Sequence, residues 1–194
     1  MPKQRQQGVT LLEILVVLML IGGLMGIVML NVGDDQARKD TKQFAQQLQL
    51  WLGALREESV FQNLDFGVAM DSETLLLLSY QDVYSQEFSA NLDAEALDKL
   101  RKNPWQPHSG GRIKTELQTP DSLRMRLFLD DEEVDFEEFL ANEDGPLPAL
   151  LLLSSDEYTP FSLMLEHDHD ASFYYQLSGD GFAPLRLELQ DYDD

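Results

Sequence analysis

The chain has 194 residues, no cysteine, and 35 acidic against 14 basic side chains, for a formal net charge of −21. So acidic a surface repels nucleic acid and anionic lipid and favours a basic partner, which excludes nucleic-acid binding as the function. The missing cysteines exclude a disulfide framework, thiol catalysis and thiolate metal sites.

The first element is apolar. From Ile14 to Leu30 run seventeen residues with neither charge nor polar side chain, and starting at Val9 the stretch reaches twenty-two residues interrupted only by Thr10 and by one acid, Glu13. As a helix this is about 33 Å long at roughly 1.5 Å per residue, enough to cross a bilayer core of about 30 Å. Three readings compete. A cleaved secretory signal fits the basic leader of Lys3 and Arg5, but the apolar run is too long and Asn31-Val32-Gly33-Asp34-Asp35 is a poor cleavage site. A plain membrane anchor fits the length and leaves Glu13 inside hydrocarbon, where an acid costs on the order of 2.5–3.5 kcal/mol. Lys3 and Arg5 before the run are matched by Arg38, Lys39 and Lys42 after it, so counting bases does not orient the span.

The third reading is a resemblance. Gly8-Val9-Thr10-Leu11-Leu12-Glu13, with Lys3 and Arg5 before it and the apolar run behind it, resembles the class III signal of type IV pilins and type II secretion pseudopilins. The resemblance implies that a prepilin peptidase cuts after Gly8 on the cytoplasmic side and N-methylates Val9, while the helix stays with the mature protein. It makes Glu13 the assembly glutamate, the partner of a neighbouring subunit's N-terminal amine in low dielectric. Val9 is a departure, since the family most often has phenylalanine there. Gly22 and Gly26 stand at a Gly-x-x-x-Gly spacing, with Gly23 between them, that lets helices approach closely.

From Asp34 to about Phe61 the pattern continues as an amphipathic helix. Phe44, Leu48, Trp51, Leu52 and Leu55 recur at three and four and form one stripe for a core, with the glutamines off it. Asn31 and Gly33 are expected to loosen the helix where it leaves the membrane, and Gly53 to weaken it.

The period then changes to two. Asp65 to Met70 and Thr74 to Gln81 read as a hairpin around Asp71-Ser72-Glu73, with a further short strand near Val83 to Phe88. Asp93 caps a short helix to Lys102, and the prolines and glycines of Asn103 to Gly111, with His108 alone among them, mark a loop. Strands are expected at Arg112 to Thr119 and Leu123 to Leu129, the second alternating for one exposed face. Seven of the nine residues from Asp130 to Glu138 are acidic, and 130–145 reads as a solvated surface loop whose spacing does not match an EF-hand. Ala149 to Ser154 reads as a buried strand, Thr159 to His167 as another, and Ser172 to Leu177 with Leu185 to Leu189 as a hairpin around Ser178-Gly179-Asp180-Gly181. An acidic tail, 191–194, ends the chain.

Chemical candidates are few. His167 and His169 would share a face of an extended chain and could chelate a metal, but His167-Asp168-His169-Asp170 sits where a turn is expected. Ser154 and Ser155 lack a nucleophile elbow. No catalytic, cofactor-binding or metal residue is assigned, and the chain is not expected to be an enzyme.

The succession Leu150-Leu151-Leu152-Leu153-Ser154-Ser155 and then Thr159-Pro160-Phe161 is similar to the C-terminal half of the H-type minor pseudopilins of type II secretion, the general secretion pathway protein H family. The expected fold class is α+β: a long N-terminal helix, half in the membrane and half amphipathic, packed on an antiparallel two-sheet, sandwich-like, pilin-like domain. The expected divisions are a leader (1–8), a membrane and polymerisation helix (9–33), an amphipathic helix (34–62) and a periplasmic β-rich domain (63–194).

The resemblance implies a structural subunit at or near the tip of the periplasmic pseudopilus of a Gram-negative inner membrane, with its N-terminus cytoplasmic. Its partners would be the prepilin peptidase, the major pseudopilin G, the minor pseudopilins I, J and K and the inner-membrane platform, with the secretin and an exoprotein as further contacts. A minor pilin of a type IV pilus, and a membrane-tethered periplasmic binding or enzymatic domain, remain as alternatives.

Overall fold

A computed structural model of the chain describes residues 11–89, 92–111 and 113–192; the side chains of 23–35 and of 87 lie outside the description. The first helix, α1 (Leu11–Gln62), is continuous over 52 residues. Asn31 and Gly33 therefore do not break it, which corrects the expected loosening: one glycine costs about 1 kcal/mol, less than the cooperative ladder on either side supplies.

The second half of α1 shows why the stripe reads as core. Ala37, Thr41, Phe44, Ala45, Leu48, Trp51, Leu52, Leu55 and Ser59 are all buried, at the spacing that keeps one side of a helix in register with a core. The two hydroxyls among them are satisfied: Thr41 Oγ1 donates to the Ala37 carbonyl, and Ser59 Oγ donates to the carbonyls of Arg56 and Leu153. Asn63 ends the helix in the left-handed region, at φ 52°. Its N–H reaches the Val60 carbonyl and that of Leu64 reaches Ser59, the paired bonds of a Schellman stop.

Two antiparallel sheets pack against the buried face of that helix half. The first holds β1 (Phe66–Met70), β2 (Thr74–Tyr80), β3 (Trp105–Pro107), β4 (Glu116–Gln118) and β7 (Leu150–Leu152), ordered β3-β2-β1-β7, with β4 also on β2. The second holds β5 (Leu123–Leu129), β6 (Glu132–Val134), β8 (Phe161–His167), β9 (Asp170–Gly179) and β10 (Arg186–Asp191), in the order β10-β9-β8-β5-β6. Inward residues of both sheets, among them Phe66, Val68, Leu127, Leu163, Phe173 and Leu177, join the helix stripe in one cluster. The α+β architecture, the one-faced alternation of β5 and the capped helix α3 (Ala94–Lys102), where Asp93 accepts from the Ala96 N–H, all agree with the sequence reading.

The differences are local. Val83 to Phe88 is not a strand: the Val83 and Ser85 N–H groups bond back to the Gln81 and Asp82 carbonyls, and these turns lead into a short helix, α2 (Gln86–Ser89). The loop 103–111 contains β3, where Pro107 faces Leu78 on β2 at an edge position that needs no further donor. The strand expected over 112–119 is confined to β4. The acidic stretch 130–145 is not simply solvated. It forms β6, paired to β5, and a short helix, α4 (Glu137–Leu140), and Phe136 is buried. Arg126 offsets part of the charge through two bonds to Glu133, at 2.8 and 2.7 Å, and Phe136 supplies the apolar anchor that counting charges overlooks.

Candidate functional site

The exposed half of α1 is the unusual surface of this molecule. The apolar side chains from Leu11 to Ile21 are between 45% and 84% exposed, and they lie on every side of the helix. Such a helix is covered in its working state by lipid or by other chains, because water leaves all of that surface hydrated. Glu13 sits among them, exposed, in the first turn. A Cβ added at Gly22 would meet nothing within 4 Å, so this glycine leaves an open notch in the apolar cylinder. Gly8 and Val9 lie outside the described residues, and Gly26 is described only as part of the helix backbone. Among the described residues no helix is long and apolar enough to cross a membrane. The expected span, 9–33, falls largely outside them, since Val9, Thr10 and the side chains of 23–33 are not described.

The other half of α1 is anchored by two arginines. Arg38 stands where the helix leaves the domain; it donates to Asp191 at 2.9 Å and lies 5.0 Å over the Phe173 ring. Arg56, near the far end, donates to Asp156 at 2.7 Å and to the carbonyls of Ala183 and Phe182, and covers the Tyr158 ring at 4.9 Å. The helix is thus fastened to the C-terminal hairpin at both ends of its buried stripe. Sequence reading missed both clamps, because their partners stand 100 to 153 positions away and only the fold brings them together.

The His167-Asp168-His169-Asp170 segment makes the turn that its sequence predicts. Asp168 and His169 form the turn between β8 and β9, and the buried His167 uses Nδ1 to accept from the His169 N–H at 3.1 Å. Among the described residues no group of three metal-ligating side chains gathers. His108, half-buried, packs edge-on against Phe66, with ring centroids 5.1 Å apart. Ser154 donates to Asp65 and holds the start of the turn after β7. The lowered carboxyls belong to hydrogen-bonded ties. Donation from the Ser172 hydroxyl lowers the Asp170 carboxyl, and the Arg126 guanidinium lowers that of Glu133. Burial, then the bond to Glu166, pushes the Tyr192 phenol up to about 12.

No protein-family profile matches the chain. The type II secretion system protein H of Vibrio cholerae is 32% identical over 167 residues, covering 82% of this chain and 81% of the relative. The protein of that name from Pseudomonas aeruginosa is 26% identical over 191 residues, covering 94% and 96%, and that of Aeromonas hydrophila is 27% identical over 200 residues. Two solved structures of the Vibrio cholerae minor pseudopilin EpsH share the fold, with TM-scores of 0.53 and 0.56 at 20% and 23% identity, covering 80% and 77% of this chain and 99% and 93% of theirs.

Proposed function

The chain belongs to the type II secretion system protein H family, and from that premise we propose that it works as a structural subunit, the exposed half of α1 being its assembly surface. It is a minor pseudopilin of the type II secretion system. The observation that carries the assembly reading is the change of environment along one unbroken helix. Past Ala37 every stripe residue is buried in the domain, whereas from Leu11 to Ile21 every apolar residue is open. Free energy on the order of 25 cal/mol per Å² of apolar surface is recovered when that half is covered, first by lipid and then by neighbouring helices.

On this reading the prepilin peptidase cuts between Gly8 and Val9 and methylates Val9. The helix then waits in the inner membrane with its N-terminus cytoplasmic and its domain periplasmic. Glu13 takes the N-terminal amine of a neighbour, so that each charge has a partner where water is absent. Gly22 and Gly26 let a neighbouring helix approach. The subunit takes its place at or near the pseudopilus tip, between the major pseudopilin G and the minor pseudopilins I, J and K. It contributes no catalytic step; work comes from the inner-membrane platform. The names of the relatives favour this over a type IV pilus subunit.

Mass spectrometry of the mature N-terminus tests the proposal. A chain that begins at methylated Val9 supports it, and an intact Met1, or cleavage beyond Leu30, overturns it.

A further inference from the structure

Phe182 is 68% exposed, in the loop between β9 and β10. One exposed phenylalanine is ordinary; the way this one is held is not. Asp180 accepts from the N–H groups of Phe182 and Ala183 at 3.1 and 2.8 Å. Arg56 donates to the Phe182 carbonyl at 2.6 Å and to that of Ala183 at 3.1 Å, and Tyr158 donates to the latter at 2.6 Å. Gly181, at φ 97°, brings its carbonyl to the Tyr158 N–H at 2.9 Å; a Cβ there would lie 3.1 Å from the Tyr158 carbonyl. Six hydrogen bonds therefore immobilise a loop whose aromatic side chain faces water. Ordering before contact removes the entropy that a mobile loop loses on binding, which is the property of a preorganised interface anchor.

Beside the loop lies a cleft of about 430 Å³, lined by Gln49, Gly53, Arg56 and Glu57 of α1 with Asp156, Pro184 and Leu185. A Cβ on Gly53 would meet nothing within 4 Å, so the helix surface is notched there, and Leu50, on the same helix side, is 73% exposed. Glu57 and Asp156 set carboxylates on the cleft lining, and since Arg56 pairs with Asp156 at 2.7 Å, Glu57 is the acid that faces an incoming base. We propose that Phe182, Leu50 and this cleft form the docking surface through which the folded domain receives a neighbouring subunit of the pseudopilus. The occupant is an apolar segment of that subunit flanked by lysine or arginine, whose charge complements Glu57 on the lining and the net charge of −21 of the chain. This inference rests on the assembly reading and adds a second contact to it, on the domain and not on the membrane half.

A photo-reactive phenylalanine analogue placed at position 182 of the full chain, in cells with a complete type II system, tests it, with the same analogue at the exposed Tyr84 as control. The expected result is an adduct to another chain that mass spectrometry identifies as a processed pseudopilin, with little from position 84. Glu57→Lys should cut that adduct by about tenfold at unchanged protein level. An adduct to phospholipid or to exported cargo, equal yields at both positions, or indifference to Glu57→Lys would overturn the proposal. No adduct with Val9 as the mature N-terminus overturns the docking surface alone; no adduct with Met1 retained overturns the assembly reading with it.

Discussion

Arg38 and Asp191, 153 positions apart, meet at 2.9 Å where the first helix leaves the folded domain. The same guanidinium lies 5.0 Å over Phe173, so one side chain ties the helix to both C-terminal strands, β9 and β10. The pair is partly exposed, and its Coulomb energy is screened by water. Asp191→Asn should therefore cost only about 0.2–1 kcal/mol of stability in urea titration of the detergent-solubilised chain. Arg38→Ala should cost about 0.5–1 kcal/mol more, because the ring contact goes too. Equal losses from the two variants would show that the ring contact adds nothing.

Gly67 carries a sharper constraint. A Cβ there would stand 2.6 Å from Cβ of Pro148 and 3.1 Å from the Trp105 ring, both on the outer side of β1. Neither neighbour is the tip of a flexible chain, so the strand or its cover has to move. Gly67→Ala should destabilise by about 1–3 kcal/mol, read as a fall in melting temperature. Gly53→Ala, where nothing lies within 4 Å, should leave stability unchanged or raise it slightly.

The Tyr192 phenol donates to Glu166 and is pushed up to about 12, burial being the larger cause. A raised acid of this kind contributes stability that is whole below the unfolded value near 10 and is lost as pH climbs through the folded value. Absorbance titration at alkaline pH should show a late phase to which Tyr192 contributes beside the buried Tyr158 and Tyr175, and that phase should shrink by one phenol in Tyr192→Phe. Glu166→Gln should move that step toward ordinary values. An unchanged titration curve in both variants would contradict the assignment.

Glu13 is the critical residue of the proposed assembly. Glu13→Ala should leave cleavage at Gly8 intact while abolishing incorporation into the pseudopilus. Removing one partner of a buried charge pair costs about 3–5 kcal/mol, more than a hundredfold in an association constant. Export of a secreted enzyme, with processing followed by mass, separates the two steps. Normal export with Glu13→Ala would remove the glutamate from the mechanism.

Much of the fold was legible in the chain. The stripe from Phe44 to Leu55, the hairpin around Asp71-Ser72-Glu73, the Asp93 cap and the alternation of β5 are each written within a dozen residues, where local periodicity and turn chemistry decide. The failures share a cause. Trp105–Pro107 became a strand because β2 offered it an edge, and Glu132–Val134 because β5 did. Phe136 is buried among acids because the core has room for it, which a count of charges cannot show.

Residues 3–30 carry the family resemblance within one short stretch, because two bases, a glycine, an acid five residues on and the apolar run behind it are all local properties. The acid charge and the missing cysteines need no fold either. Tertiary structure alone decided where the helix leaves the domain and its apolar side chains become exposed, and what fastens it there. Arg38, Arg56, Asp191 and the rigid Phe182 loop are far apart in the chain. Ion pairs and carbonyl contacts form wherever the packed sheets bring such groups within about 3 Å, and no local pattern records that meeting.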